Sequence, residues 1–88
     1  MEVILSGHAV FEAKRRDIDE GLIRSMVIKP QQKISSKRGR VIVQGRYQDQ
    51  IEDKEMLLRI IGKETIDKFE VITVYKTSKI KKYWIEGE

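Results

Sequence analysis

The spacing of apolar positions changes at Pro30, and that change divides the chain. Before it the period is helical: at 100° per residue Ala9, Val10 and Ala13 share one side of a segment running to about Arg16, and Leu22, Ile23, Met26 and Val27 share one side of a second. Ser6 predicts the N-cap of the first helix. Asp19 does the same for the second, with Ile18 as hydrophobic staple and Pro30 as the stop. "EVIL", ahead of both, predicts a short strand or extended segment. Beyond Pro30 the period is two, so "QQKIS" predicts a weak strand and "RVIVQGRYQ", "EMLLRIIG" and "FEVITVYK" strong ones, separated by "SKRG", "IEDK" and "KETIDK". Connections this short favour an antiparallel meander.

Helices followed by strands predict an α+β domain spanning residues 1–88, with two N-terminal helices packed on one face of a curved, mainly antiparallel sheet of three to four strands. The expected core is Ala9, Ala13, Leu22, Ile23, Met26, Leu58, Ile60, Ile72 and Val74. Thr73 and Tyr75 then point to the open face. On "RVIVQGRY" the parity is ambiguous, and the favoured assignment leaves Gln44 and Arg46 open, with Arg59 emerging between Leu57 and Ile61.

Length limits the chemistry. A chain of 88 residues buries only about 60 to 65% of its unfolded surface, and an enclosed cofactor pocket would take most of that core, so no cofactor is expected. Cysteine is absent and histidine occurs once, which excludes disulfides, thiolate chemistry and a self-sufficient zinc site. Without a signal peptide or an apolar run of about 18 residues, the expected location is cytoplasmic, with no membrane partner.

Charged residues make up 36% of the chain and asparagine is missing, a composition that fits a thermophilic source. The net charge of +4 is unevenly spread. No acid occurs between Glu20 and Asp49, a window holding Arg24, Lys29, Lys33, Lys37, Arg38, Arg40 and Arg46. A second acid-free window, Val71 to Ile85, holds Lys76, Lys79, Lys81 and Lys82. Such segregation suits a polyanion binder as well as it suits a merely solvated basic surface.

Two stretches could carry chemistry. In "GHAVFEAKRRDI" the residues His8, Glu12 and Arg15 fall within about 60° of one another, opposite the core stripe. A lone helical histidine is more often a cap or a solvated residue than a catalyst. In "KTSKIKKYW" lysines alternate with hydroxyls and two rings. Lysines neutralise phosphates and rings stack on unpaired bases, so Lys76 and Lys79 read as phosphate contacts, while Trp84 reads as an anchor for the tail.

"HAVFEAKRRDI", "GRVIVQGRYQ", "LLRII" and "VITVYKTSKIKKYW" together resemble domain-of-unknown-function family 4258 over nearly the whole chain. Its members open with H-A-x-x-R-M-x-x-R-G-I and often close with T-V-Y-K-T-S-K-I-x-K-Y-W. His8 and Arg16 match the opening motif. Glu12 stands where the family usually has arginine, Asp17 where it usually has glycine, and Arg15 is extra. The resemblance implies the RelE- and barnase-like ribonuclease toxin fold, and a toxin of a type II toxin-antitoxin pair that cleaves RNA without metal. It also implies a cognate antitoxin, in the family often a small CxxC zinc-finger protein; the chain is compatible with a homodimer.

The implied reaction is attack of a 2′-hydroxyl on the adjacent phosphorus. It needs a proton acceptor, a proton donor and cations over the phosphorane oxygens. His8 is then the acid or base, with Glu12 beside it favouring the charged form, while Arg16, Arg46 and Lys79 supply cations and Tyr75 a donor or stacking platform. Arg15, Lys37, Arg38, Arg40, Lys76, Lys82 and Tyr83 complete the expected RNA contacts. Two other functions fit the same residues: an RNA- or ribosome-binding protein that cuts nothing, and an interaction module whose basic face receives an acidic partner.

Overall fold

The computed structural model describes residues 1–87. In chain order the elements are β1 (Glu2–Leu5), α1 (Gly7–Arg15), α2 (Glu20–Ile28), β2 (Gln32–Ser35), a 3-10 turn (Lys37–Gly39), β3 (Val41–Asp49), β4 (Lys54–Glu64), β5 (Lys68–Thr77) and α3 (Ile80–Tyr83). The sheet has five strands rather than three or four, in the order β1-β5-β4-β3-β2. β1 is followed by helices and has no hairpin partner, so it pairs with the free side of β5, in parallel; every other pair is antiparallel.

Ser6 makes the turn from β1 into α1. Its Oγ accepts the Ala9 N–H at 3.0 Å as an N-cap and donates to the Ile72 carbonyl of β5 at 3.1 Å, which fixes the start of the helix against the sheet. The far end of α1 closes as a Schellman motif, the Ile18 N–H reaching the Ala13 carbonyl at 2.8 Å and the Asp17 N–H the Lys14 carbonyl at 3.3 Å. Asp17 therefore sits at φ 55°, in the left-handed region that favours glycine.

One core joins Ala9, Ala13, Ile18, Ile23, Met26 and Val27 of the helical segment to Val3, Val43, Leu58, Ile60, Phe69, Val71 and Val74 of the sheet. Leu22 packs against it only partly buried. Ile72 is a correction, since it is half-exposed and Val71 takes the core position. The cause is a bulge: the β4–β5 register slips between Ile61 and Gly62, so Thr73 pairs with Ile61 but Val71 with Gly62, and Ile72 falls out of the alternation. Gly62 permits this, because a side chain there would collide with the Glu70 carbonyl and the Phe69 ring.

On the other side of the sheet the register groups Gln44, Arg59 and Tyr75 on one rung and Arg46, Leu57 and Thr77 on the next, as expected. That side is not open. α3 and the residues after it cross it, so Leu57 is fully buried although it points away from the main core. This explains why "LL" in β4 is apolar on both faces.

Candidate nucleic-acid groove

Glutamines tie the C-terminal segment down. The Gln32 side-chain amide donates to the Ile85 carbonyl at 2.8 Å and accepts the Ile85 N–H at 3.1 Å, as a neighbouring strand would. Gln44, fully buried, donates to Gln32 at 2.7 Å and to the Tyr83 carbonyl at 3.0 Å. Its own oxygen accepts Arg59 Nε at 2.9 Å. Arg59 continues the network, donating to the Tyr75 hydroxyl at 2.6 Å with its guanidinium 4.2 Å from the Tyr83 ring centroid. The Tyr75 and Tyr83 rings meet edge to face, 6.4 Å between centroids. Burial pushes the Tyr83 phenol up, but the Lys82 ammonium, the Tyr75 hydroxyl and the Arg59 charge outweigh it, and the net shift is below the ordinary phenol value.

Next to this cluster lies a groove of about 610 Å³, lined by Arg46, Glu55, Ser78, Lys79, Ile80, Lys81, Lys82, Trp84 and Glu86. Arg46 is held on three sides. The Gln31 amide bonds both its N–H (2.9 Å) and its carbonyl (3.0 Å), its guanidinium donates to Glu55 at 3.0 Å, and the same group stacks over Trp84 at 5.3 Å. Among the described residues Lys79, Lys81 and Lys82 enter no ion pair. The groove thus offers three uncompensated lysines around one half-buried indole.

A second groove of about 440 Å³ lies at the same end of the sheet on the core side, lined by Arg15, Arg16, Asp17, Glu52, Lys54 and Lys76, and Ser78 is common to both. Its cations are largely neutralised. Glu12 is buried and takes Arg15 Nη2 and Arg16 Nε, both at 2.8 Å. Arg15 first and Arg16 second hold its carboxyl down at about 2 against the opposing effect of burial. Lys76 is buried against Asp49 at 2.9 Å. Burial pushes the Asp49 carboxyl up, yet the Glu52 N–H, the Lys76 ammonium and the Tyr47 hydroxyl together hold it well below the carboxylate range. The same burial, with Asp49 alongside, pushes the Tyr47 phenol up.

The sites expected from the sequence are therefore divided. Arg46, Lys79 and Lys82 meet in the first groove, and Tyr75 and Tyr83 sit beside it, half-buried. Arg15 and Arg16 line the second groove and share one carboxylate. Lys76, expected as a phosphate contact, pairs with the buried Asp49 at 2.9 Å. Glu12 turns inward to the two arginines rather than standing with His8. His8 is exposed at the start of α1, beside the bulge in β5, and lines neither groove. Lys37, Arg38 and Arg40 lie in the β2–β3 hairpin, at the opposite end of β3 from Arg46. Trp84, expected to anchor the tail, lies half-buried under the Arg46 guanidinium.

Sequence reading missed Gln31, Gln32, Gln44 and Asp49. A polar residue at Gln44 in the middle of an apolar strand was a signal, since a buried amide needs partners on several sides. Nothing local marked Asp49. The chain matches no protein-family model, no curated protein and no solved structure.

Proposed function

We propose that the protein binds single-stranded RNA in the groove around Trp84 and cleaves it without metal, as the toxin of a toxin-antitoxin pair. The observation that carries this reading is the juxtaposition of uncompensated Lys79, Lys81 and Lys82 and the Arg46–Trp84 stack with the Arg59–Tyr75–Tyr83 cluster. Lysines would neutralise phosphates, and the indole and guanidinium planes would take bases. Two further features support the RelE- and barnase-like assignment: the paired N-terminal helices sharing a core with a mostly antiparallel sheet, and the left-handed backbone at Asp17, where the family motif has glycine.

In this reading proton transfer moves from His8 to Tyr83. Tyr83, shifted toward ionisation, accepts the 2′-hydroxyl proton once it has lost its own to solvent; the 2′-oxygen bonds to phosphorus, Arg46 and Arg59 stabilise the phosphorane, and a groove lysine protonates the departing 5′-oxygen. The products are a 2′,3′-cyclic phosphate and a free 5′-hydroxyl. Purified protein with EDTA should produce these ends from a single-stranded oligoribonucleotide. Tyr83→Phe should slow cleavage by about 10² to 10⁴, while His8→Ala leaves it near wild type. The reverse ranking would return the catalytic role to α1. The placement of His8 outside both grooves favours a second reading, RNA binding without cleavage, in which the oligonucleotide is bound and recovered intact. Absence of binding would sink both.

A further inference from the structure

The sheet ends at β2, and the direction of its backbone groups follows from Gln31. That side chain reaches both main-chain groups of Arg46 just beyond the first β2 pair, so Arg46 directs its N–H and carbonyl toward β2. Along an antiparallel strand these directions alternate, so Gln44 and Ile42 also face β2, and their partners Gln32 and Ile34 face back. The Ser36 N–H, donating to the Arg40 carbonyl at 2.8 Å, continues the same alternation. Lys33 and Ser35 therefore direct their N–H and carbonyl groups outward, where no strand follows among the described residues.

Beside this edge stands a cluster of one charge sign. Arg38 at φ 60° and Gly39 at φ 71° fold the hairpin tightly and leave Lys37 and Arg38 exposed. Among the described residues Lys37, Arg38 and Arg40 make no ion pair, and the buried Nε of Arg40 has no hydrogen-bond partner. Arg40 thus gives up no Nε bond if it turns toward a carboxylate. Lys33, the only cation on β2 itself, is neutralised by Glu64 at 2.6 Å.

A second copy of the chain fits this edge poorly. Two β2 edges would share only four residues each, and β2 itself carries no carboxylate to meet Lys37, Arg38 and Arg40 of the other copy. An acidic strand meets both the outward peptide groups and the charge.

We propose that the outer edge of β2 is a docking site for an extended, acidic segment of a partner protein, which adds as a sixth strand and places its carboxylates on Lys37, Arg38 and Arg40. Main-chain hydrogen bonds supply the affinity and the charges supply the choice of partner. The site is independent of the RNA groove, which lies at the other end of β3.

The test uses the full chain and an eight-residue peptide of alternating Glu and Val. Fluorescence anisotropy should detect binding, and hydrogen exchange should slow at the Lys33 and Ser35 amides. Ser35→Pro removes an outward N–H without touching the β3 ladder, so it should weaken binding about tenfold or more while the melting temperature stays near wild type. With the wild-type protein, a peptide N-methylated at alternate residues should lose binding to a similar extent, which covers the case of a variant that fails to fold. Exchanging Lys37, Arg38 and Arg40 for Glu should abolish it. Three results would overturn the proposal: no binding of the acidic peptide, equal binding of its N-methylated form, or displacement of the peptide by single-stranded RNA.

Discussion

Glu12 stands where the resemblance expects a cation, and its surroundings explain how the chain accommodates the change. With arginines three and four positions on, a carboxylate at this helical position receives both guanidiniums at once. Its carboxyl is held at about 2 instead of 4.5, so the stability it supplies is complete above about pH 4.5 and is lost as pH falls toward 2. Glu12→Gln should accordingly flatten the fall in melting temperature between those values without removing it, because Asp49 loses its own contribution in the same direction. Thermal unfolding of both proteins from pH 5 to 2 checks this. At Lys76 the expected cost is structural: Lys76→Ala strands the buried Asp49 charge, worth about 3 to 5 kcal/mol in urea unfolding. A Lys76→Ala protein that kept its stability but lost RNA affinity would restore the phosphate role.

At the scale of elements, the C-terminal segment is held by side chains that imitate backbone. Gln31 extends the β2 ladder by one rung onto Arg46, and Gln32 does the same for Ile85 across the far side of the sheet. Gln32→Ala leaves both main-chain groups of Ile85 and one donor of buried Gln44 to find other partners. The expected cost is about 1 to 3 kcal/mol, and amide exchange at Ile85 should accelerate more than exchange in β4. If Ile85 stayed protected, the segment would be held by its rings on Arg46 and Arg59 instead. The bulge in β5 has the opposite character, being fixed by what cannot fit at Gly62 rather than by a bond that is made.

Over the whole molecule, the cations of the β2–β3 hairpin stand apart from those of the Trp84 groove, where Arg46 of the first basic window joins the lysines of the second. Val41 and Arg46 are five residues apart on β3, about 17 Å at the usual strand rise, which exceeds the screening length of about 10 Å at 0.1 M salt. The ends therefore act as separate surfaces. If the Trp84 groove binds RNA, three lysines and Arg46 should give a slope of log K against log salt of about −2 to −3, at roughly −0.7 per phosphate. Lys79→Ala should reduce it by about 0.7, whereas charge reversal at Lys37, Arg38 and Arg40 should leave it unchanged. A slope that dropped on reversing the hairpin would mean that RNA follows the sheet from end to end.

The elements were legible along the chain, because period, caps and breakers act over a few residues. Ser6 caps the first helix, Asp19 occupies the N-cap position of the second without a side-chain bond, Pro30 follows its end, and alternation places Arg59 and Tyr75 on one side of the sheet, where the register then sets Gln44 and Arg46. The sequence also located the basic windows and the aromatic C-terminal stretch. Which charges remain free is set by the fold. Lys76 and Lys79 are three residues apart in one motif, yet Asp49, far off in the chain, neutralises the first while the second stays unpaired. Glu12 likewise reads as a neighbour of His8 by angle, but burial turns it to the arginines that can offset its desolvation. The Lys76–Asp49 pairing depends on distances across the fold, and the Glu12 pairing on which way a buried carboxylate turns, so local spacing located the cations without deciding which of them are free to meet a ligand.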